Sequence, residues 1–229
     1  MSIDFEPFFK QYEALVKMAD DVFARVKKEY PENVTCEIKC ADCCHALFDL
    51  TLIESIYINH YFNRQFAGAH RAALIEKANR ADRQVHKLKH AAVKAQKGGK
   101  SEEAIIGEMA EQRIRCPLLN EQDQCEMYAH RPITCRLYGI PTAIGGTGHT
   151  CGLSGFEQGK PYPTVNLDRI QTRLYEISEE LRKTIKSRHV SLATILVPLS
   201  MALLTEYSAE YLGVGQKVNP EEQQGAEDE

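Results

Sequence analysis

From Phe5 to Tyr30, apolar residues recur at three- and four-residue steps: Phe5, Phe8, Phe9, Tyr12, Leu15, Val16, Ala19, Val22, Phe23 and Val26. That spacing predicts an amphipathic helix, which Pro31 stops. Thr51-Leu-Ile-Glu54 has the capping-box pattern and predicts a second helix running on through Ile56, Ile58 and Tyr61. A long polar helical stretch, Ala69 to Gln96, is broken by Gly98-Gly99, and Ser101 starts another helix ending near Arg113. Cys116-Pro-Leu-Leu and Cys125-Glu-Met-Tyr128 flank the polar turn Asn120–Gln124, which predicts a short hairpin. Cys135-Arg136 follows Arg131-Pro132 on a helical turn, and Gly145-Gly146-Thr147-Gly148 reads as a flexible loop before Cys151. Two more helices are predicted at about Asp168–Arg188 and Pro198–Leu212.

The pattern as a whole predicts a mainly α fold, a helical domain in which a small β-hairpin and irregular loops carry the cysteines. Residues 1–213 form its single domain, with a cysteine core at about 36–151 and a helical insert at about 69–112. Residues 214–229 are expected to be a disordered acidic tail, since Asn219–Glu229 has no large apolar residue.

With 229 residues the chain can bury a core without crosslinks. A net charge of −4 gives no electrostatic reason to expect a nucleic-acid partner. The apolar run Leu192–Leu204 is interrupted by Pro198 and Ser200; it is too short to cross a bilayer and predicts a buried helix. The first residues lack the features of a secretory signal, so no membrane association and a cytoplasmic location are expected. Thiols stay reduced there, and the eight cysteines are then better candidates for metal thiolates than for disulfides.

The cysteines fall in two blocks: Cys36, Cys40, Cys43 and Cys44, then Cys116, Cys125, Cys135 and Cys151. Short spacings in the first block let one loop or helical turn aim several sulfurs at one centre. The adjacent pair Cys43-Cys44 is informative, because neighbouring side chains diverge by about 100° on a helix or to opposite faces of a strand. A tetrahedral zinc rarely uses both, whereas a polynuclear centre or two metals can. This favours an iron–sulfur cluster, with zinc open as the alternative.

Arg115, Arg131 and Arg136 sit beside Cys116 and Cys135. Arg131 and Arg136 are candidates for contact with the cofactor, where guanidinium groups would offset thiolate charge; the competing reading pairs these arginines with carboxylates. His45 and His149 lie nearest the cysteines, and His130 could support a ligand; His60, His70, His86, His90 and His189 read as exposed helix residues. The basic run Arg80–Lys100 reads as a solvated helix face. Gly145–Gly148 lacks the lysine and the strand–helix frame of a phosphate loop.

Together these motifs resemble the YkgJ-type cysteine-cluster family, a zinc- or iron-chelating domain with a CxxCxxCC signature. The signature appears as Cys36-Glu-Ile-Lys-Cys40-Ala-Asp-Cys43-Cys44, and the later half as Cys116-Pro-Leu-Leu, Cys125-Glu-Met-Tyr128 and Arg131-Pro-Ile-Thr-Cys135-Arg136-Leu-Tyr138. Three residues, where the family has two, separate Cys36 from Cys40. The resemblance implies bound metal. The function expected is an iron–sulfur protein with a redox or electron-transfer role and an unidentified redox or protein partner. The alternatives are a zinc-binding structural or interaction module and a cluster-dependent enzyme of methyltransferase or oxidoreductase type.

Overall fold

The structure, a computed structural model, describes residues 3–37, 40–157 and 159–215. Of the expected tail, residues 216–229 lie outside the described residues, as do Ile38 and Lys39 of the first cysteine motif, whereas Val214 packs against the core. The fold is mainly α. Helix α1 (Glu6–Glu29) takes the predicted place and ends before Pro31. Helix α2 (Leu52–Gln65) starts at the Thr51–Glu54 box, where Glu54 Oε2 accepts from the Thr51 amide at 3.3 Å and from its hydroxyl at 3.1 Å. Helix α3 (Gly68–Lys97) is the long insert, and Ser101 caps α4 (Glu102–Ala110) by accepting from the Ala104 amide.

Helix α2 is the hub. Every residue from Leu52 to Asn59 is buried, so the helix is covered on all sides. One flank, with Ile53, Ile56 and Tyr57, joins Phe8, Phe9 and Tyr12 of α1 and Leu174 and Ile177 of α6 (Leu167–Thr184). The other, with Ile58 and Phe62, joins Leu74 and Ala78 of α3 and Ala202 and Leu203 of α7 (Leu199–Leu204). Each buried side chain of this size contributes roughly 1.5–3 kcal/mol, so the two clusters clamp α2 between the halves of the molecule.

Three sequence expectations are corrected. Leu192–Leu204 is not one helix: Val190–Thr194 is a 3₁₀ turn, and Val197–Pro198 is a short strand. The proline ring disfavours helical geometry at Val197, leaving it extended to pair with Leu50 in the two-stranded antiparallel contact of β1 (Asp49–Leu50) with β5 (Val197–Pro198). The helix expected to reach Leu212 stops at Leu204, because the Asn59 side-chain amide donates to the Ala202 and Thr205 carbonyls, both at 2.9 Å, where a further turn would place backbone N–H groups. Helix α6 ends at Thr184 rather than Arg188, where Lys186 turns into the left-handed region at φ 54°.

The glycine-rich loop is also ordered differently. Gly145 and Gly146, at φ 56° and 79°, form the turn of a hairpin between β2 (Thr142–Ile144) and β3 (Thr147–His149). On its other side β2 runs parallel to β4 (Val165–Asn166). Among the described residues, no helix is long and apolar enough to cross a membrane.

Candidate metal centre

Backbone hydrogen bonds join the two cysteine blocks directly. Asp42–His45 forms a 3₁₀ turn carrying Cys43 and Cys44. The Cys116 amide donates to the Cys44 carbonyl at 2.7 Å, and the Ile114 amide to the His45 carbonyl at 3.0 Å. Ala46 and Arg113 form an isolated antiparallel bridge beside them. The expected hairpin after Cys116 is present in minimal form: Leu119 bridges Cys125, and Asn120 Oδ1 accepts from the Gln122 and Gln124 amides at 2.9 Å. Cys135 stands on α5 (Ile133–Leu137), whose first amide, at Ile133, donates to Glu54 Oε1 at 3.4 Å. The carboxylate that caps α2 therefore also ties down α5.

Seven of the cysteines (Cys36, Cys40, Cys43, Cys44, Cys116, Cys125 and Cys135) line one cavity of about 600 Å³, which Arg131 and Arg136 also border. All eight cysteines are free and half-buried. Burial pushes most of the thiols up: Cys116 to about 12, Cys36 also to about 12, and Cys125 and Cys135 upward, with neighbouring cysteines adding to each shift. Cys43 moves the other way. A hydrogen bond from the Cys44 thiol, helped by the Arg131 charge, favours its thiolate against the cost of burial. Cys36, Cys116, Cys125 and Cys135 thus favour their protonated form until a cation replaces the proton. Among the described residues, no three Cys, His, Asp or Glu side chains stand close enough together to hold a metal ion as they are placed. The arrangement is a set of thiols facing a common space.

The sulfurs sort into two neighbourhoods. Cys44 and Cys135 each feel Cys43, Cys116 and Cys125, whereas Cys36, pushed up first by burial, feels Cys40 and Cys151 ahead of Cys43. Cys151 is absent from the cavity lining, and its sulfur lies 3.4 Å from Asp42 Oδ2. Burial alone would raise the Asp42 carboxyl, but hydrogen bonds from Cys151, Tyr138 and Arg113 outweigh it and hold it low. Cys36 Sγ packs over Gly139, which has φ 102°; a Cβ there would sit 2.3 Å from the sulfur.

The arginines divide as well. Arg136 is 5% exposed, and each nitrogen of its guanidinium has a partner: Nε donates to the Arg131 carbonyl at 2.9 Å, Nη2 to the Ala129 carbonyl at 2.6 Å, and Nη1 to Asp20 at 2.6 Å. Arg115 faces Asp123 at 3.8 Å and donates to the Asn120 carbonyl. Both follow the carboxylate-pairing reading. Arg131 also faces Asp20, at 3.7 Å, but it lies over the Tyr128 ring at 3.9 Å and is the cation that lowers Cys43, so it is the guanidinium whose charge the thiols feel.

His149 is exposed on β3, while His45 Nδ1 lies 3.1 Å from the Ala41 carbonyl. His130 stacks on Tyr61 with ring centroids 3.8 Å apart. His60, expected to be exposed, is half-buried against Phe9 and Tyr61. Asp42 was missed at the sequence level; its only signal was its place inside the first motif.

Residues 35–152 match the family described as "CxxCxxCC: Putative zinc- or iron-chelating domain". The chain belongs to this family. No curated protein and no solved structure matches it. Membership supports metal binding by the CxxCxxCC domain, and the chemistry of its cavity agrees: soft thiolate donors suit zinc and iron–sulfur centres.

Proposed function

We propose that this CxxCxxCC domain holds an iron–sulfur cluster and works in electron transfer. The observation that carries this reading is the adjacent pair: Cys43 and Cys44 line one cavity together with Cys116, Cys125 and Cys135 of the second block. Neighbouring side chains diverge, so a single tetrahedral zinc rarely draws on both, whereas a cluster of several irons can. Cys43, Cys44, Cys116, Cys125 and Cys135 form the main ligand set, and Cys36, Cys40 and Cys151 flank it beside Asp42. When bound, such a cluster supplies reversible one-electron chemistry. The chain's own residues tune the site. Arg131 offsets thiolate charge and so raises the reduction potential, while Arg136 holds the Arg131 carbonyl and the Cys135 turn in position.

Protein purified without air should be brown and contain iron with acid-labile sulfide. Cys43→Ser and Cys44→Ser should each lower the iron content, whereas Cys151→Ser should keep most of it. Colourless protein with stoichiometric zinc would reject the cluster and leave a zinc-stapled module.

A further inference from the structure

The cavity is larger than a metal centre requires. About 600 Å³ falls within the roughly 300–1,000 Å³ of small-molecule sites. Much of the remaining wall has no metal donor. Leu47 and Phe48 follow directly on the cysteine turn, Ala81 and Val85 stand one turn apart on α3, and Leu199 opens α7. The insert helix α3 therefore supplies part of the cavity wall, with residues that continue the buried Leu74–Ala78 stripe packed beside α7.

The charges of the lining indicate what this wall would accept. Each of its four cations already has a partner: Lys27 donates to the Cys36 carbonyl at 3.1 Å, Arg115 faces Asp123, and Arg131 and Arg136 engage Asp20. The Ser200 hydroxyl donates to Asp82, and the remaining lining carboxylate, Glu37, is exposed. Arg131 and Arg136 share the one Asp20 carboxylate and the thiols take up the Arg131 charge, so a charged ligand would lose its hydration with no other buried counter-charge to meet it.

We propose that the cavity seats, beside the metal centre, a neutral and mostly apolar organic molecule of one or two rings, with Leu47, Phe48, Ala81, Val85 and Leu199 as its contacts. The inference rests on the metal reading only in giving the thiols to the metal.

Equilibrium dialysis of the full metal-loaded chain against 1-naphthol and its anionic relative 1-naphthoate tests it, with metal and sulfide assayed on the same samples. Saturable binding of one naphthol per chain is expected, roughly tenfold tighter than naphthoate. Val85→Phe and Leu47→Trp, which fill the space, should each weaken naphthol by roughly tenfold at unchanged metal content. Leu47 lies outside both apolar clusters, so its variant decides the matter even if Val85→Phe fails to fold. Absent saturable binding, equal affinity for naphthoate, or indifference to Leu47→Trp would each overturn the proposal. Protein without metal would instead defeat the metal reading, while the naphthol titration still reports on the cavity.

Discussion

Arg136→Met is the substitution whose cost follows most directly from the structure. The methionine fills most of the arginine's volume, so the loss isolates the guanidinium contacts. Two backbone carbonyls, of Ala129 and Arg131, lose a charged donor, at roughly 1.5–3 kcal/mol each. The Asp20 pair adds no more than about 1 kcal/mol, since the Asp20 side chain is 43% exposed and water replaces much of what it loses. Water and the new apolar contacts recover part of the sum, and the expected loss is about 3–5 kcal/mol. In a chain of this size that lowers the melting temperature by roughly 6–20 °C. Urea unfolding of wild type and variant, each loaded with metal, measures it, with an unchanged slope expected. Arg136→Lys, which keeps the charge but not the fork, should fall between them. A loss below about 1 kcal/mol for Arg136→Met would refute the strut and return Arg136 to the role of a spare cation.

Two further outcomes follow from single contacts. Gly139→Ala should destabilise by about 2 kcal/mol or more, because it combines a left-handed φ with a clash against Cys36 Sγ. Adding Cys36→Ala removes the clashing sulfur, so the double variant should recover part of the loss; strictly additive losses would contradict the contact. Glu54 tests the sign of a buried charge. Burial raises its proton affinity despite the hydrogen bonds from Thr51 and Ile133, so its folded value lies above the ordinary carboxylate value of about 4.3. Its contribution to stability is therefore full below that value and declines as pH rises through the folded one. Glu54→Gln should remove the decline, so its stability relative to wild type should improve from about pH 4 toward neutrality; a flat or opposite trend in urea midpoints would count against it.

Local signals were legible in the sequence where they act locally. The three- and four-residue spacing located α1, the Thr51–Glu54 box opened α2, and Ser101 started α4. What stayed hidden depends on partners distant in the chain. Pro198 divides an apolar run that looks helical, and Asn59 of α2 ends α7 from across the core. The glycine pair at 145–146 carried a hairpin signal, yet its polar surroundings read as a loop. At the site, the motif spacing located the thiols, but the division of labour between Arg131 and Arg136 was invisible because Asp20 lies far back on α1. The apolar wall was equally hidden, since Val85 and Leu199 read individually as ordinary core residues.

The pairing of β1 with β5 bears on the order in which the molecule is made. Asp49 and Leu50 emerge in synthesis well before Val197 and Pro198, which close against them. Such distant pairing is slow to form. Until that pairing forms, the thiols of the turn just before β1 stand in an unfinished cleft, because Pro198 and Leu199 supply part of the cavity wall.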